Sequence, residues 1–155
     1  MINGKMLPLY NLVEVEEASY EDLLDVYEIN KISFPNPYPI SLLFYFKTYY
    51  PKTFLVARVL NKVVGYVIAT TRAREGEIIS IAVLPSWRRR GIGSKLLKSL
   101  FRVLINYDIN KVYLHVRVSN KDAVKFYVKN GFKIISYVPN YYSNGEGAYL
   151  MVRKI

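Results

Sequence analysis

The chain has 155 residues, of which 52% are apolar and 22% are charged, a balance that is typical of one globular domain and excludes an intrinsically disordered chain. Twenty-two lysines and arginines against twelve aspartates and glutamates give a net charge of +10, so we expect an anionic partner: a nucleic acid, a membrane surface or a phosphorylated cofactor. Cysteine is absent and histidine occurs once, which excludes disulfides and a thiolate nucleophile and argues against a protein-held metal site.

The N-terminal stretch MINGKMLPLYNLVEVEE lacks the basic-then-apolar pattern of a secretion signal. No apolar run approaches the ~18 residues that a membrane-spanning helix requires. We therefore expect a cytoplasmic protein that has no membrane partner and folds as a single domain over residues 1–155.

The first half of the chain carries signals of both strand and helix. Residues 11–16 alternate apolar and polar side chains, as a half-buried strand does. Ser19, three positions before Asp22, opens an amphipathic run that predicts a capped helix, and the prolines of FPNPYP (34–39) end it. The next predicted elements are a short helix over 40–50 and a hairpin of two strands, 53–59 and 63–72, joined at Leu60-Asn61-Lys62.

The second half begins with a strand over 75–85 that is nearly continuous in apolar residues, which predicts a central strand buried on both faces. Apolar residues then recur every four positions from Ile92 to Leu104 and predict a core-facing helix. The remaining predicted elements are a strand over 111–118, a short helix over 122–130 that ends at Gly131, and strands over 132–138 and 148–155. The order β-α-α-β-β-β-α-β-α-β-β indicates one mixed α/β sheet with helices on its faces.

The segment PSWRRRGIGS (85–94) joins the end of a predicted strand to the start of a predicted helix. Its glycines lack a Cβ, so an anion can approach the backbone N–H groups at the helix start, where the helix dipole favours negative charge and arginine adds donors suited to phosphate. The segment is neither a P-loop nor a Rossmann fingerprint, because no Gly-Lys-Ser/Thr follows and a third glycine is missing. On these residues alone, a phosphate site and a solvated basic turn stay equally open. Nucleic-acid binding is disfavoured, since no predicted helix carries a basic stripe and no aromatic-rich ribonucleoprotein motif appears.

Three stretches in one order resemble the GNAT N-acetyltransferase superfamily, and more closely the N-terminal (Nα) protein acetyltransferases of archaea and eukaryotes: ISIAVLPSWRRRGIGSKLL, VYLHVRVSNKDAVKFYVKNGF and YYSNGEGAYLMV. FPNPY also fits, and the similarity runs over residues 10–155. The resemblance implies the GNAT fold, a single mixed and mostly antiparallel sheet of about seven strands with four helices. It also implies acetyl transfer from acetyl-CoA to a free α-amine, by direct attack in a ternary complex and without a metal.

The resemblance assigns residues to acetyl-CoA. The segment from Arg88 to Ser94 matches the family's pyrophosphate-binding loop, with Arg89 and Arg90 expected to be partly solvent-facing. The backbone from Ile81 to Val83 matches the strand that holds the pantetheine arm, and the Val83 amide would face the thioester oxygen. The cofactor-binding residues so implied are Ile81, Ala82, Val83, Arg88, Arg89, Arg90, Gly91, Ile92, Gly93, Ser94, Asn120, Ala123, Phe126 and Tyr127.

The chemistry needs only a modest base, because a peptide α-amine has a pKa near 7.7–8.0. Strand alternation puts Tyr113, His115 and Arg117 on one face, and His115 matches the position where close relatives place a catalytic His or Glu. Glu77, on the neighbouring strand, is expected to share a water with His115 or to bind the substrate amine; a solvated strand-end carboxylate is the alternative left open. Tyr127 matches the family's proton donor to the CoA thiolate, a role that is compatible with packing of its ring.

FPNPY and the tyrosine pair at 141–142 match the two loops that grip the first residues of the substrate in this branch. The implied substrate-binding residues are Phe34, Pro35, Asn36, Tyr38, Tyr141 and Tyr142. Asn36 stands where members that prefer small first residues carry Glu, whereas Phe-Pro resembles members that accept Met followed by an apolar residue. We therefore expect a preference for Met-apolar or mixed N-termini over acidic ones.

Two other functions stay open on the sequence alone. The first is acetylation of a lysine side chain, a polyamine or another small amine. The second is non-catalytic binding of acyl-CoA or of a nucleic acid through the charge of +10. The expected partners are protein or peptide N-termini, without sequence-specific nucleic acid, and the basic surface is compatible with proximity to the ribosome.

Overall fold

A computed structural model describes residues 12–155, which form seven strands and four α-helices. The strands are β1 (Val13–Glu17), β2 (Phe54–Val59), β3 (Lys62–Arg72), β4 (Glu75–Val83), β5 (Lys111–Arg117), β6 (Lys133–Val138) and β7 (Ala148–Lys154). The helices are α1 (Leu23–Ser33), α2 (Ile40–Tyr49), α3 (Ile92–Asn106) and α4 (Lys121–Lys129). The element order is the predicted one; residue 11, predicted to begin the first strand, lies outside the described residues.

The strands form one mixed sheet in the order β1-β2-β3-β4-β5-β7-β6. The pairs β1–β2, β2–β3, β5–β7 and β6–β7 are antiparallel, and β4–β5 is parallel. The prediction of a mixed, mostly antiparallel sheet is thus confirmed.

The chain divides into two compact units. The first comprises residues 12–70 and 79–103, which include β1, β2, α1, α2 and the end of β4. The second comprises residues 71–78 and 104–155, which include the start of β4, β5, α4, β6 and β7. Each unit carries part of the predicted site, and the two parts are described separately below.

Local signals explain where several elements begin and end. The Ser19 N–H donates to Asp22 Oδ2 at 2.8 Å, and a short 3-10 turn leads from there into α1. The β2–β3 hairpin turns on Leu60 and Asn61, whose φ angles of 47° and 68° lie in the left-handed region that tight hairpins require. The turn is therefore one residue shorter than predicted, and β3 already begins at Lys62.

Burial along β4 corrects one prediction. The strand is central in the sheet as expected, but it is not buried on both faces. Its residues alternate between buried positions (Gly76, Ile78, Ser80 and Ala82) and half-buried ones (Glu77, Ile79, Ile81 and Val83). An apolar run does not guarantee two covered faces, because isoleucine and valine also suit the geometry of a half-buried strand.

Periodicity predicted the buried faces of α3 and β5 correctly. In α3 the buried side chains are Ile92, Leu96, Leu97, Leu100, Phe101 and Leu104. In β5 they are Val112, Leu114 and Val116, so that Tyr113, His115 and Arg117 lie together on the half-buried face.

Candidate active site

The segment before α3 presents backbone donors of the kind that bind phosphate. The Lys95 N–H donates to the Gly91 carbonyl at 3.0 Å, so the N–H groups that precede Lys95 at the start of α3 have no acceptor within the helix. Gly91 has a φ of 80°, a conformation that glycine adopts most easily, and the chain turns into the helix there. The helix dipole adds positive potential at the same point. These residues fit an anionic group such as the pyrophosphate of CoA.

The three arginines of this segment have different surroundings. Arg88 Nε donates to the Val83 carbonyl at 2.8 Å, and its guanidinium also donates to Ser33 Oγ at 3.3 Å. Arg88 therefore holds the end of β4 in place. Arg89 and Arg90 are exposed, as expected, and the Arg90 guanidinium lies over the Trp87 ring, 5.9 Å from its centroid.

The end of β4 runs past its last parallel pair with β5, which is at Glu77. Ile81 and Val83 are half-buried there, while Ala82 is buried. Strand β3 approaches this stretch so closely that a Cβ on Gly65 would lie 3.0 Å from the Ala82 carbonyl oxygen. A side chain at position 65 would therefore press on the backbone of the strand end, and glycine avoids this contact.

The FPNPY loop connects α1 to α2 in the first unit. Phe34 and Tyr38 are half-buried and pack against the core, whereas Pro35 and Asn36 are exposed. The Tyr38 ring meets Phe46 edge-on, with 6.1 Å between the ring centroids. The loop thus offers an exposed tip on a base that is packed into the protein.

A buried chain of hydrogen bonds, which the sequence did not predict, begins at this loop. The Tyr38 N–H donates to Asn30 Oδ1 at 2.8 Å, and Asn30 Nδ2 donates to the Tyr66 hydroxyl at 2.8 Å. The Tyr66 hydroxyl lies 2.7 Å from Ser80 Oγ. Asn30, Tyr66 and Ser80 are 1%, 0% and 5% exposed. Burial raises the pKa of Tyr66 to about 12, so its hydroxyl is protonated at neutral pH.

Three predicted site residues lie together in the second unit. His115 Nδ1 is 3.8 Å from Glu77 Oε1, and the His115 ring stacks on Tyr141 with 4.4 Å between centroids and 11° between planes. Nδ1 is buried and has no hydrogen-bond partner among the described residues. A distance of 3.8 Å is too long for a hydrogen bond, so Glu77 and a protonated His115 would interact through their charges.

The Glu77 carboxylate affects the pKa of two tyrosines near His115. Burial, together with the negative charge of Glu77, raises the pKa of Tyr113 and of Tyr141. Both hydroxyls therefore stay neutral at neutral pH and can donate hydrogen bonds. Tyr113, whose ring centroid is 6.5 Å from that of His115, was not among the predicted site residues, although strand alternation had placed it on the same face.

An ion pair that the sequence did not predict holds the segment between β6 and β7. Arg117 Nη1 lies 3.0 Å from Glu146 Oε1, and the Arg117 guanidinium sits 3.9 Å over the Tyr142 ring. The Ser119 N–H donates to Glu146 Oε2 at 3.0 Å. Hydrogen bonds from Ser119 and Arg117 lower the pKa of Glu146. Tyr142 is thereby fixed directly and Tyr141 through its neighbour.

Helix α4 carries the other residues expected to contact CoA. Asn120 Oδ1 accepts the Ala123 N–H at 3.2 Å, so this side chain caps the helix. Phe126 is half-buried and Tyr127 is buried, with 5.3 Å between their ring centroids. The Tyr127 ring also packs against Phe132 at 5.7 Å.

Within residues 12–155, no group of three or more His, Asp or Glu side chains is placed to hold a metal ion. The helices described over the same range are all too short or too polar to cross a membrane.

Comparison with protein families matches residues 23–132 to the Acetyltransferase (GNAT) family. Among curated proteins, the chain is 40% identical over 141 residues to an uncharacterized N-acetyltransferase, MJ1530, of Methanocaldococcus jannaschii, with 90% of each chain covered. It is 35% identical over 150 residues to an N-alpha-acetyltransferase of Sulfurisphaera tokodaii, with 88% of this chain and 90% of that protein covered.

Solved structures give the same result at the level of the fold. Ard1 from Thermoplasma volcanium matches with a TM-score of 0.89 and 33% identity, covering 93% of this chain and 98% of that one. Arabidopsis thaliana Naa50, solved in complex with the bisubstrate analogue CoA-Ac-MVNAL, matches with a TM-score of 0.83 and 25% identity, covering 93% of this chain and 99% of that one.

Proposed function

This chain belongs to the acetyltransferase (GNAT) family, and we propose that it transfers the acetyl group of acetyl-CoA to the free α-amino group of protein N-termini. The amine attacks the thioester carbonyl carbon directly in a ternary complex, so the C–N bond forms and the C–S bond breaks. The observation that carries the proposal is the His115 ring, which stacks on Tyr141 and has its Nδ1 3.8 Å from the Glu77 carboxylate. The similarity to an N-alpha-acetyltransferase of Sulfurisphaera tokodaii supports the α-amine as the acceptor of the acetyl group.

His115 and Glu77 supply the proton acceptor. At pH 7 about a tenth of a peptide α-amine is already neutral, so a weak base within reach suffices. The imidazole accepts the proton that the attacking amine loses, directly or through one water. The Glu77 carboxylate then stabilises the positive charge on the ring, and Tyr141 keeps the ring plane fixed by stacking.

Acetyl-CoA supplies the activated thioester, and this chain's own groups would hold it and protonate the leaving thiolate. The segment from Arg88 to Ser94 binds the pyrophosphate: the N–H groups from Gly91 to Ser94 donate to it, and the arginines of the segment add positive charge. The backbone of Ile81–Val83, beyond the last β4–β5 pair, holds the pantetheine arm. Asn120, Ala123, Phe126 and Tyr127 line the distal part of the CoA site. Tyr127 donates its hydroxyl proton to the departing sulfur.

The two tyrosine-bearing loops would bind the first residues of the substrate. Phe34 and Pro35 form an apolar wall for the first side chain, while Tyr38, Tyr141 and Tyr142 bind the peptide backbone. We expect Met followed by an apolar residue to be preferred, with Asn36 in place of an acidic residue. The analogue in the Naa50 structure, whose peptide begins Met-Val, is consistent with this preference. Cytoplasmic location and proximity to the ribosome stay predictions.

The test is a set of peptides that begin Met-Leu, Ser, Ala or Asp and share one downstream sequence with an internal lysine. A Met-Leu peptide with a formylated N-terminus is the matched control. We expect fragment-ion mass spectrometry to find acetyl on the α-amine only, with the highest initial rate for Met-Leu and none for the blocked peptide. Acetylation confined to lysine, or CoA binding without turnover, would overturn the proposed function. The fastest rate on the Asp peptide would overturn the specificity alone.

A further inference from the structure

We propose that Asn30 is a positioning residue that fixes the FPNPY loop and thereby sets the preference for the first substrate residue, with Tyr66 and Ser80 as its buried supports. The inference rests on the proposed function, because it takes this loop to contact the substrate. According to this inference, the specificity of the loop depends on buried side chains that do not belong to the loop.

Asn30 holds both ends of the loop. Its main-chain carbonyl accepts the Phe34 N–H at 3.1 Å, and its side-chain oxygen accepts the Tyr38 N–H at 2.8 Å. Proline has no N–H, so the loop has only three such donors, those of Phe34, Asn36 and Tyr38. Two of the three are thus bonded to one residue, and the bond that holds the Tyr38 end of the loop depends on the Asn30 side chain.

The orientation of the Asn30 amide is itself determined by its partners. Only the amide oxygen can accept the Tyr38 N–H, so the amide nitrogen must face the Tyr66 hydroxyl. The Tyr66 oxygen accepts from Asn30, and the Tyr66 hydroxyl also shares a hydrogen bond of 2.7 Å with Ser80 Oγ, in which either group can donate. The three side chains thus form one connected buried network.

Burial makes the chain sensitive to the loss of any member. Asn30, Tyr66 and Ser80 are at most 5% exposed, so water cannot easily replace a lost partner. Val26 and Ile29, on the same face of α1 as Asn30, are part of the apolar core that also includes Tyr66. An apolar side chain would pack at position 30 without needing partners. What asparagine adds there is directional control of the loop.

The network also reaches the strand that we assign to acetyl-CoA. Ser80 directly precedes Ile81 on β4, and it is the last member of the chain that starts at the Tyr38 amide. The loop that selects the substrate and the strand end that holds the pantetheine arm are therefore set by one continuous series of hydrogen bonds within the first unit.

The experiment compares Asn30→Ala and Tyr66→Phe with Thr53→Val as the matched control. Thr53 is 4% exposed and its hydroxyl donates to the Ala69 carbonyl at 2.6 Å, so this control also removes a buried hydrogen bond, but one outside the network. For each variant, kcat and KM are measured on Met-Leu and Ser peptides, with KM for acetyl-CoA and the melting temperature. Tyr66→Phe keeps the Asn30 acceptor for Tyr38 but removes the support behind it.

We expect Asn30→Ala to raise KM for the Met-Leu peptide about tenfold, while KM for acetyl-CoA stays within about twofold. The preference for Met-Leu over Ser, measured as the ratio of the two kcat/KM values, should decrease. Tyr66→Phe should raise KM about threefold, because only the support of the amide is lost. Thr53→Val should lower the melting temperature about as much as Asn30→Ala does. It should leave the ratio of kcat/KM for the Met-Leu and Ser peptides unchanged.

If the ratio of kcat/KM for the Met-Leu and Ser peptides is the same in Asn30→Ala and Thr53→Val, Asn30 is only structural and the inference is overturned. If Asn30→Ala does not fold, Tyr66→Phe decides in its place, and an unchanged KM and ratio in that folded variant overturn it. A wild-type chain that acetylates no α-amine overturns the proposed function, and the inference with it. If the wild type acetylates the α-amine and both network variants keep its peptide KM and its ratio of kcat/KM values, only the inference about Asn30 is overturned.

Discussion

His115 is the single residue whose surroundings say most about the reaction. Tyr141 covers one face of its ring, and its Nδ1 is buried next to a carboxylate that is too far away for a direct hydrogen bond. The stacked tyrosine and the nearby carboxylate thus restrict the orientation of the imidazole, as a positioned general base requires. In the proposed reaction the imidazole accepts the proton of the substrate amine, directly or through a water.

Replacing His115 with alanine should lower kcat about 100-fold, since general-base catalysis contributes two or more orders of magnitude. KM for acetyl-CoA should stay within about twofold, because the groups assigned to CoA are retained. Steady-state kinetics with both substrates varied measure the two effects separately. Lys111→Ala, a change on the same face of β5, serves as the control. An unchanged kcat in His115→Ala would remove the base assignment.

At the scale of elements, the β6–β7 connection shows how an irregular segment becomes a fixed part of a site. Glu146 binds both Arg117 at the end of β5 and the Ser119 N–H beyond it, and Arg117 covers the Tyr142 ring. A long connection would otherwise sample many conformations. Here two charged side chains tie it to a strand.

Glu146→Gln should therefore raise KM for the peptide about threefold while kcat stays near the wild-type value, since the tyrosines are less well placed but the base is intact. The pKa of Glu146 is lowered by its hydrogen bonds, so in the wild type the pairing is complete at neutral pH and is lost only as pH falls through that lowered value. The comparison variant is Glu28→Gln, which breaks the exposed ion pair with Lys31 on α1. Equal peptide KM values in the two variants would contradict the role given to Glu146.

Element boundaries were predictable because helix and strand geometry leave a period in the sequence. The four-residue spacing from Ile92 and the alternation around His115 are direct consequences of that geometry. The burial of β4 was not predictable, because an apolar run does not show how many of its faces are covered. The length of the hairpin turn was missed by one residue, since Leu60 and Asn61 adopt left-handed angles that their types do not demand.

The site was predictable only in part. Family resemblance indicated Glu77, His115 and Tyr141, but their contact depends on the register of the sheet, in which Glu77 pairs with Tyr113. One signal of the buried network was present in the sequence: Asn30 is a polar residue on the apolar face of a helix and so needs a partner. Its partner Tyr66 lies 36 positions away, and only the fold identifies it.

At the scale of the whole molecule, lysines and arginines outnumber aspartates and glutamates. A carboxylate that pairs with a cation offsets part of the repulsion among the positive charges and so contributes to stability. Arg58 forms two hydrogen bonds to Asp22, at 2.9 and 3.0 Å, and one to Glu16 at 2.7 Å. The Asp22 side chain is only 8% exposed and that of Arg58 is 19% exposed. Burial alone would raise the pKa of Asp22, but the hydrogen bonds from Arg58 and Ser19 outweigh it and lower the pKa.

This lowered pKa predicts how the stability of the chain depends on pH. Because the folded-state pKa of Asp22 is below its ordinary value of 3.8, the stabilisation is complete above that value and is lost as pH falls through the folded one. At pH 7, Asp22→Asn should lower the free energy of unfolding by about 2 kcal/mol and the melting temperature by about 5 °C. Urea unfolding at a series of pH values should show the gap to wild type shrinking below about pH 4. Glu14→Gln, at an exposed carboxylate on β1, should leave stability nearly unchanged at every pH. A gap for Asp22→Asn that stays constant from neutral to acid pH would show that the pair does not stabilise the fold through the charge of Asp22.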